Sequence, residues 1–242
     1  MKDEKYRILN SDIIKYIAVA AMLLNHIAHI FLPGGTLLKE IFLDIGYFTA
    51  ITMCYFLVEG YQYTHSKKQY AIRLFLFALI SQIPYEMAFG MGMLNMIYTL
   101  FVCFLILVVR EKVTKEPVRT ILVILLAAAT VFGDWAIGAP VFTIMFDAWR
   151  GDRRKIWNAY IFSAVGFFCA NLGMAWMRYK PLLALLSAAG AALGILASGF
   201  VIQNLYNGKR AEHGRTISKW FFYIFYPGHL LVLALIARWM EA

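Results

Sequence analysis

Lys15 and His26, eleven residues apart, lie inside the first long apolar run of the chain, Asp12 to Leu32. At about 100° per residue, eleven residues of α-helix return to within roughly 20° of the starting direction, so the two side chains share a face. With ~1.5 Å of rise per residue they stand roughly 16 Å apart along the axis. In a hydrocarbon core ~30 Å thick, a lysine held at one boundary puts the histidine near the middle. An ionisable group at that depth is costly and marks function by default. A neutral imidazole there can take a proton from a hydroxyl or amine and return it to a leaving group. Lys15 alone would read as a side chain snorkelling to the headgroups; with His26 on its face it can instead hold an anionic phosphate at the membrane surface. Asp12, Met22 and His29 fall within about 60° of the same face.

A second constellation sits in the last apolar run, where FYIFYPGHL brings Tyr223, Tyr226, Pro227 and His229 together. Tyr226 and His229, three residues apart, are neighbours on a helix surface, and Pro227 leaves backbone carbonyls without their donor. Counted in from Ile217, His229 reaches a depth similar to that of His26, so the two histidines are expected to face a common cavity. The plainer alternative is a kinked helix with an aromatic belt. Glu59, in FLVEGY, and Arg73, at the start of the third run, flank the same basic loop. Gln82, Tyr85 and Glu86 surround Pro84, with Asn95 and Thr99 opposite on the fourth run. A proline-broken helix carrying polar groups must line protein or water rather than lipid, which makes this region the expected acceptor pocket. Asp44 and Asp134, near run ends, read as solvated boundary residues. Cys54, Cys103 and Cys169 each lie in an apolar run at no metal-ligand spacing, so they are expected to be packing residues and no metal site is expected.

The elements that must position these residues follow from composition. Hydrophobic residues make up 62% of the 242 and charged residues 15%, against about 25% charged in soluble domains. The chain is therefore expected to be an all-α, polytopic transmembrane bundle forming a single domain over residues 1–242. About nine spans are legible: Asp12–Leu32, Ile41–Tyr63, Tyr70–Phe89, Asn95–Val109, Val118–Phe132, Ala139–Trp149, Ile156–Met177, Pro181–Gln203 and Ile217–Met240. The net charge of +9 reflects basic residues in alternate connections, leaving only Lys39, Arg178, Lys180 and Arg238 on the other side. That is the positive-inside pattern, and it predicts a cytoplasmic N-terminus. No basic helix interleaved with aromatics suggests nucleic acid, and no internal repeat points to a transporter.

The lysine, ten intervening residues and a histidine in the first span resemble the signature of integral-membrane acyltransferases. LVEGYQYT, RLFLFALISQIPYE, LNMIYTL and KWFFYIFYPGHLL together are similar to the blocks of the TraX family, whose namesake acetylates the N-terminus of conjugative pilin. The resemblance runs from Asp12 to about Leu233. It implies a multi-pass enzyme of the bacterial cytoplasmic membrane that passes an acetyl group from cytoplasmic acetyl-CoA to an amine or hydroxyl acceptor: a peptide N-terminus, glycan or lipid. Lys15 and Arg73, with Glu59 beside them, would bind the acetyl-CoA phosphates. His26 would deprotonate the acceptor. Beside the resemblance, the expected common cavity lets Tyr226 and His229 hold the thioester oxygen, and the polar residues around Pro84 make Gln82, Tyr85, Glu86 and Asn95 the expected lining of the acceptor site. The expected partners are acetyl-CoA, an acceptor still to be identified and membrane lipids. A transporter using the histidines as proton relays, or a non-catalytic membrane partner protein, would account for the same buried groups.

Overall fold

A computed structural model describes residues 6–90 and 92–241. The described residues form nine α-helices: α1 (Ser11–Phe31), α2 (Leu37–Tyr63), α3 (Lys67–Phe89), α4 (Met96–Lys112), α5 (Glu116–Ala129), α6 (Gly138–Ala148), α7 (Arg153–Trp176), α8 (Pro181–Phe200) and α9 (Arg215–Glu241). By length and composition six are able to cross a membrane: α1, α2, α3, α7, α8 with the π-helical turn that follows it, and α9. The chain is an all-helical membrane protein. α4, α5 and α6 have 17, 14 and 11 residues, and at ~1.5 Å per residue each falls short of a ~30 Å core.

The helices divide between two compact units, one holding the chain up to Met53 with Gly151–Phe222, the other Cys54–Arg150 with the chain from Tyr223 on. In the first unit, α1 begins where the Asn10 side chain accepts hydrogen bonds from the amides of Asp12 and Ile13, both 3.0 Å, satisfying donors that have no partner inside the helix. The same end is tied down by a parallel bridge between Leu9 and Tyr206 and by the Ser11 amide donating to the Lys209 carbonyl at 2.9 Å. α1 and α2 pack through polar links: the Thr49 hydroxyl donates to the Ala18 carbonyl at 2.7 Å and the Asn25 amide to that of Leu43 at 3.2 Å. α8 presents small residues, as membrane packing favours. A Cβ on Gly199 would meet the Tyr160 ring at 2.7 Å, and one on Gly194 would collide with the Asp44 carbonyl.

In the second unit, α3 runs unbroken through Pro84 and α9 through Pro227. This corrects the expectation of a broken third helix. Proline removes one amide, but the turns on either side keep their own hydrogen bonds. α4 starts halfway along α3 rather than at its end, because the buried Asn95 donates to the carbonyl of Ala78 at 2.8 Å. The loop before α6 meets it there: Leu94 donates to the Phe132 carbonyl at 2.7 Å, and Asp134 to that of Leu94 at 2.8 Å. At the other end of this unit Lys67 and Tyr61 bind Glu111 and hold its carboxyl below the ordinary range, while Arg110 pairs with Asp147 at 2.8 Å. Cys54 and Cys103 are buried as expected; Cys169 is exposed on α7, which corrects its reading as a packing residue.

Candidate functional site

In the first unit, α1 carries His26 and Lys15. His26 is only 6% exposed and Lys15 is half-buried. The Asn25 bond to Leu43 fixes the turn that carries His26 against α2, so the imidazole sits on a helix stretch anchored by a side chain and not on a loop. His29, one turn on, is exposed.

The second unit gathers the remaining predicted residues in three places. Around Arg73, half-buried on α3, the guanidinium lies 5.6 Å from the Tyr70 ring centre and interacts with the Tyr223 hydroxyl. Tyr223 itself stacks on Phe77, with ring centres 4.8 Å apart. The Nε of Arg73 is buried without a hydrogen-bond partner, an arrangement that leaves a buried cation able to take an anion. Tyr70 could have been found from sequence, being three residues before Arg73 and hence its helix neighbour. Glu59 is half-buried on α2, next to Gly60, whose missing side chain lets the Tyr70 ring approach.

The second place is the Asn95 network. Asn95 is fully buried. Its amide nitrogen donates to the Ala78 carbonyl and the Gln82 side chain, both at 2.8 Å, and its oxygen accepts from the amides of Ile97 and Tyr98. Gln82 in turn donates to Glu86 and to the Met93 carbonyl, both at 3.0 Å. Asn95 is therefore the N-cap of α4, and Gln82 the brace between it and Glu86. Tyr85 is buried. Asp134, read from sequence as a solvated boundary residue, is half-buried, and burial pushes its carboxyl up to about 6. Its backbone is held by the Thr99 hydroxyl, which donates to the Asp134 carbonyl at 2.6 Å. The loop is strained, since Trp135 and Ile137 adopt φ of 59° and 58°, a region costly for a β-branched residue.

The third place is the α9 pair. The Tyr226 hydroxyl accepts from the Met96 amide at 3.2 Å. His229, 8% exposed, has Nδ1 2.8 Å from the Phe225 carbonyl. A carbonyl only accepts, so Nδ1 carries the proton and Nε2 is the acceptor nitrogen of the neutral ring. The ring stacks on Phe225 at 4.8 Å and meets the edge of Tyr226 at 5.8 Å. The structure thus brings Tyr226 and His229 together on one turn and joins Tyr226 to the start of α4. His26 belongs to the first unit and His229 to the second. Among the described residues no group of three or more His, Cys, Asp or Glu is arranged to hold a metal.

A probable fimbrial assembly protein, FimC of serogroup H1, from Dichelobacter nodosus is 28% identical over 232 residues, which cover 91% of this chain and 92% of that protein. No solved structure matches. The family model described as TraX protein matches residues 10–237, nearly the whole chain, and the chain belongs to the TraX family.

Proposed function

We propose that the chain is an acetyl-CoA-dependent acetyltransferase of the bacterial cytoplasmic membrane, acting on an amine or hydroxyl acceptor. The observation that carries this reading is α1, which holds a buried imidazole, His26, and a half-buried ammonium, Lys15, on one face of one helix in a TraX-family chain. The acceptor nitrogen or oxygen attacks the thioester carbonyl and His26 takes the proton it sheds. The carbon–sulfur bond breaks, and the proton passes to the leaving CoA thiolate. Lys15 and Arg73 bind the phosphates, and the buried Arg73 Nε supports that role. Glu59 orients this basic end. Tyr226 and His229 supply hydrogen bonds to the oxygen on which charge develops, and Tyr85 and Glu86, braced by Gln82 and Asn95, contact the acceptor. The fimbrial assembly role in the relative's name fits a peptide acceptor.

The topology belongs to the same proposal. With the basic connections inside, the N-terminus lies in the cytoplasm; nine crossings, in which the short α4, α5 and α6 traverse by local thinning of the bilayer, put the C-terminus outside. Cysteines introduced near Lys68 and Arg154 are expected to label only from the cytoplasmic side, and one after Met240 only from outside. The activity is tested by incubating the purified protein with labelled acetyl-CoA and cell-envelope fractions, then searching peptides, glycans and lipids for label by mass spectrometry. Label that appears with the parent protein and disappears with His26→Ala supports the proposal. CoA release without any labelled acceptor, unchanged in His26→Ala, refutes it.

A further inference from the structure

Asp134 and Tyr226 reach one short stretch of backbone from two different elements of the second unit. Asp134, in the loop before α6, donates its amide to the Leu94 carbonyl at 2.8 Å, and Leu94 donates to the Phe132 carbonyl at 2.7 Å. Two residues further along that stretch, the Met96 amide donates to the Tyr226 hydroxyl of α9 at 3.2 Å. The loop is clamped from α4 as well. Thr99 donates to the Asp134 carbonyl at 2.6 Å, and a Cβ on Gly133 would stand 2.4 Å from the Thr99 hydroxyl oxygen, so glycine is what lets the loop come this close. Trp135 and Ile137 hold φ of 59° and 58°, and backbone kept in so costly a region gathers where a side chain has to be aimed. The acid aimed by this loop is Asp134. Its carboxyl accepts from the Trp135 amide, and the phenols of Tyr85, on α3, and of Tyr226 are turned toward it.

We propose that the Asp134 carboxylic acid donates a hydrogen bond to the acyl oxygen of the thioester, making with Tyr226 a two-donor oxyanion site. On the acetyltransferase reading, on which this site rests, Tyr226 donates to that oxygen, and Asp134 joins it as a catalytic residue. A protonated carboxyl has one O–H to donate and an oxygen to accept; with one oxygen accepting from the Trp135 amide, the proton sits on the other. As the acceptor attacks, the thioester C=O becomes a single bond and negative charge collects on its oxygen, where two fixed, buried donors stabilise it more than they stabilise the ground-state carbonyl. When the carbon–sulfur bond breaks the C=O reforms, and Asp134 and Tyr226 keep their protons. The ionised carboxylate would repel the same oxygen. Burial, which pushes the Asp134 carboxyl up to about 6, keeps the donating form present through mildly acidic pH. A phenol paired with an acid kept neutral by apolar surroundings is an established chemical solution to this problem.

The test follows the carbonyl itself, in the purified full-length protein with no acceptor added. The probe is acetyl-CoA with ¹³C at the thioester carbonyl, read by isotope-edited infrared difference spectra. Donated hydrogen bonds weaken a C=O bond, so the bound band is expected at lower wavenumber at pH 5.5 than at pH 7.5 in the parent. In Asp134→Leu it should lie high at both pH values, and in Asp134→Asn, whose N–H is a weaker donor, between the two and independent of pH. In turnover with cell-envelope fractions at pH 5.5, kcat should fall about 10²–10³-fold in Asp134→Leu and about tenfold in Asp134→Asn, with the KM for acetyl-CoA unchanged. The ratio of parent to Asp134→Asn should then shrink toward one by pH 7.5, a comparison in which the titration of His26 cancels. If Asp134→Leu does not fold, the parent and Asp134→Asn decide alone. A parent band that ignores pH, a band common to parent and variants, or a rate ratio that stays constant overturns the site. If His26-dependent transfer is found while the band ignores Asp134, the site fails and the enzymatic reading stands. If the band follows Asp134 but no acceptor is ever labelled, the carbonyl contact stands and the enzymatic reading fails.

Discussion

The two units use buried polar groups in opposite ways. In the second unit Asn95 commits everything it has: two donors to Ala78 and Gln82, and its oxygen to the amides of Ile97 and Tyr98. In the first unit Glu40, whose carboxyl is bonded by Tyr179, keeps its Oε1 buried with no partner, beside a carboxyl let in by a glycine. A buried polar group with every bond made is scaffold, and its loss should appear as instability. A buried ionisable group placed with chemical capacity in reserve points to a ligand or a reaction, and its loss should appear in binding or rate.

The widest separation between these two behaviours is expected for His26→Ala and Asn95→Ala. His26→Ala should lower acetyl transfer by about 10²–10⁴-fold, the range typical of a general base, with little change in thermal stability. Near-parental turnover in this variant would falsify the assignment. Asn95→Ala should do the reverse. It removes an N-cap and strands the Ala78 carbonyl, the Gln82 side chain and two amides, a loss of about 2–4 kcal/mol measurable as a lowered unfolding temperature in detergent. If Asn95→Ala instead keeps its stability and raises KM for the acceptor, Asn95 is a binding residue and the contrast between the units collapses. A further pairing tests whether Tyr226 and His229 act on the same reaction as His26. In the double variant His26→Ala with His229→Ala, losses well short of additive indicate a shared step, while full additivity separates them.

Much of this architecture is legible in the sequence, and the exceptions have physical causes. Each apolar run forms a helix at close to its expected bounds, because a segment in lipid must satisfy its backbone internally. The short runs before and after Gly133 form the short helices α5 and α6. Pro84 misleads, because a missing amide identifies a weak point in a helix but not whether neighbouring turns and packing bridge it. Asn95 carries its own signal as an asparagine directly before an apolar run, the position of an N-cap, although its depth beside Ala78 is not written locally. The burial of Glu40 is not legible locally: it depends on packing with parts of the chain such as Tyr179, well over a hundred residues away, whose side chain bonds its carboxyl, and nothing local distinguishes it from a solvated first-turn acid. Asp44 looks like a boundary residue for the same reason, since its seat is Gly190.

The phosphate-binding assignment is a test of intermediate size. Lys15→Ala and Arg73→Ala are each expected to weaken acetyl-CoA binding by about tenfold, and together by about a hundredfold, as loss of charge-assisted bonds predicts. The two should differ in one respect. Arg73 lies over Tyr70 and reaches Tyr223, so Arg73→Lys, which keeps the charge but loses the planar fork, should remain impaired, whereas Lys15→Arg should bind normally. If Lys15→Ala binds acetyl-CoA like the parent and only inserts less well, Lys15 is a snorkelling residue and the basic function rests on Arg73 alone.

The smallest effect, and the one that separates strain from use within the second unit, concerns Asp134. Its carboxyl is raised to about 6 by burial, so the folded protein binds this proton more tightly than the unfolded chain does. The contribution to stability is therefore full below the ordinary carboxylate range, near pH 4, and is lost as pH rises toward 6, after which it stays constant. Asp134→Asn keeps the shape and the Thr99 bond to the backbone carbonyl while removing the ionisation. It should match the parent at about pH 4 and exceed it by about 1–2 kcal/mol at pH 7.5, given ~1.4 kcal/mol for each tenfold gain in proton affinity and some relief from water. The left-handed backbone at Trp135 and Ile137 is unaffected, so the difference between parent and variant isolates the carboxyl. A stability gain at pH 7.5 without loss of activity would make Asp134 a tolerated burden of the loop. Equal stability at both pH values would mean that the carboxyl finds a compensating partner in the folded membrane protein. A gain in stability together with a fall in transfer would show that the Asp134 carboxyl serves the reaction at a cost to the fold.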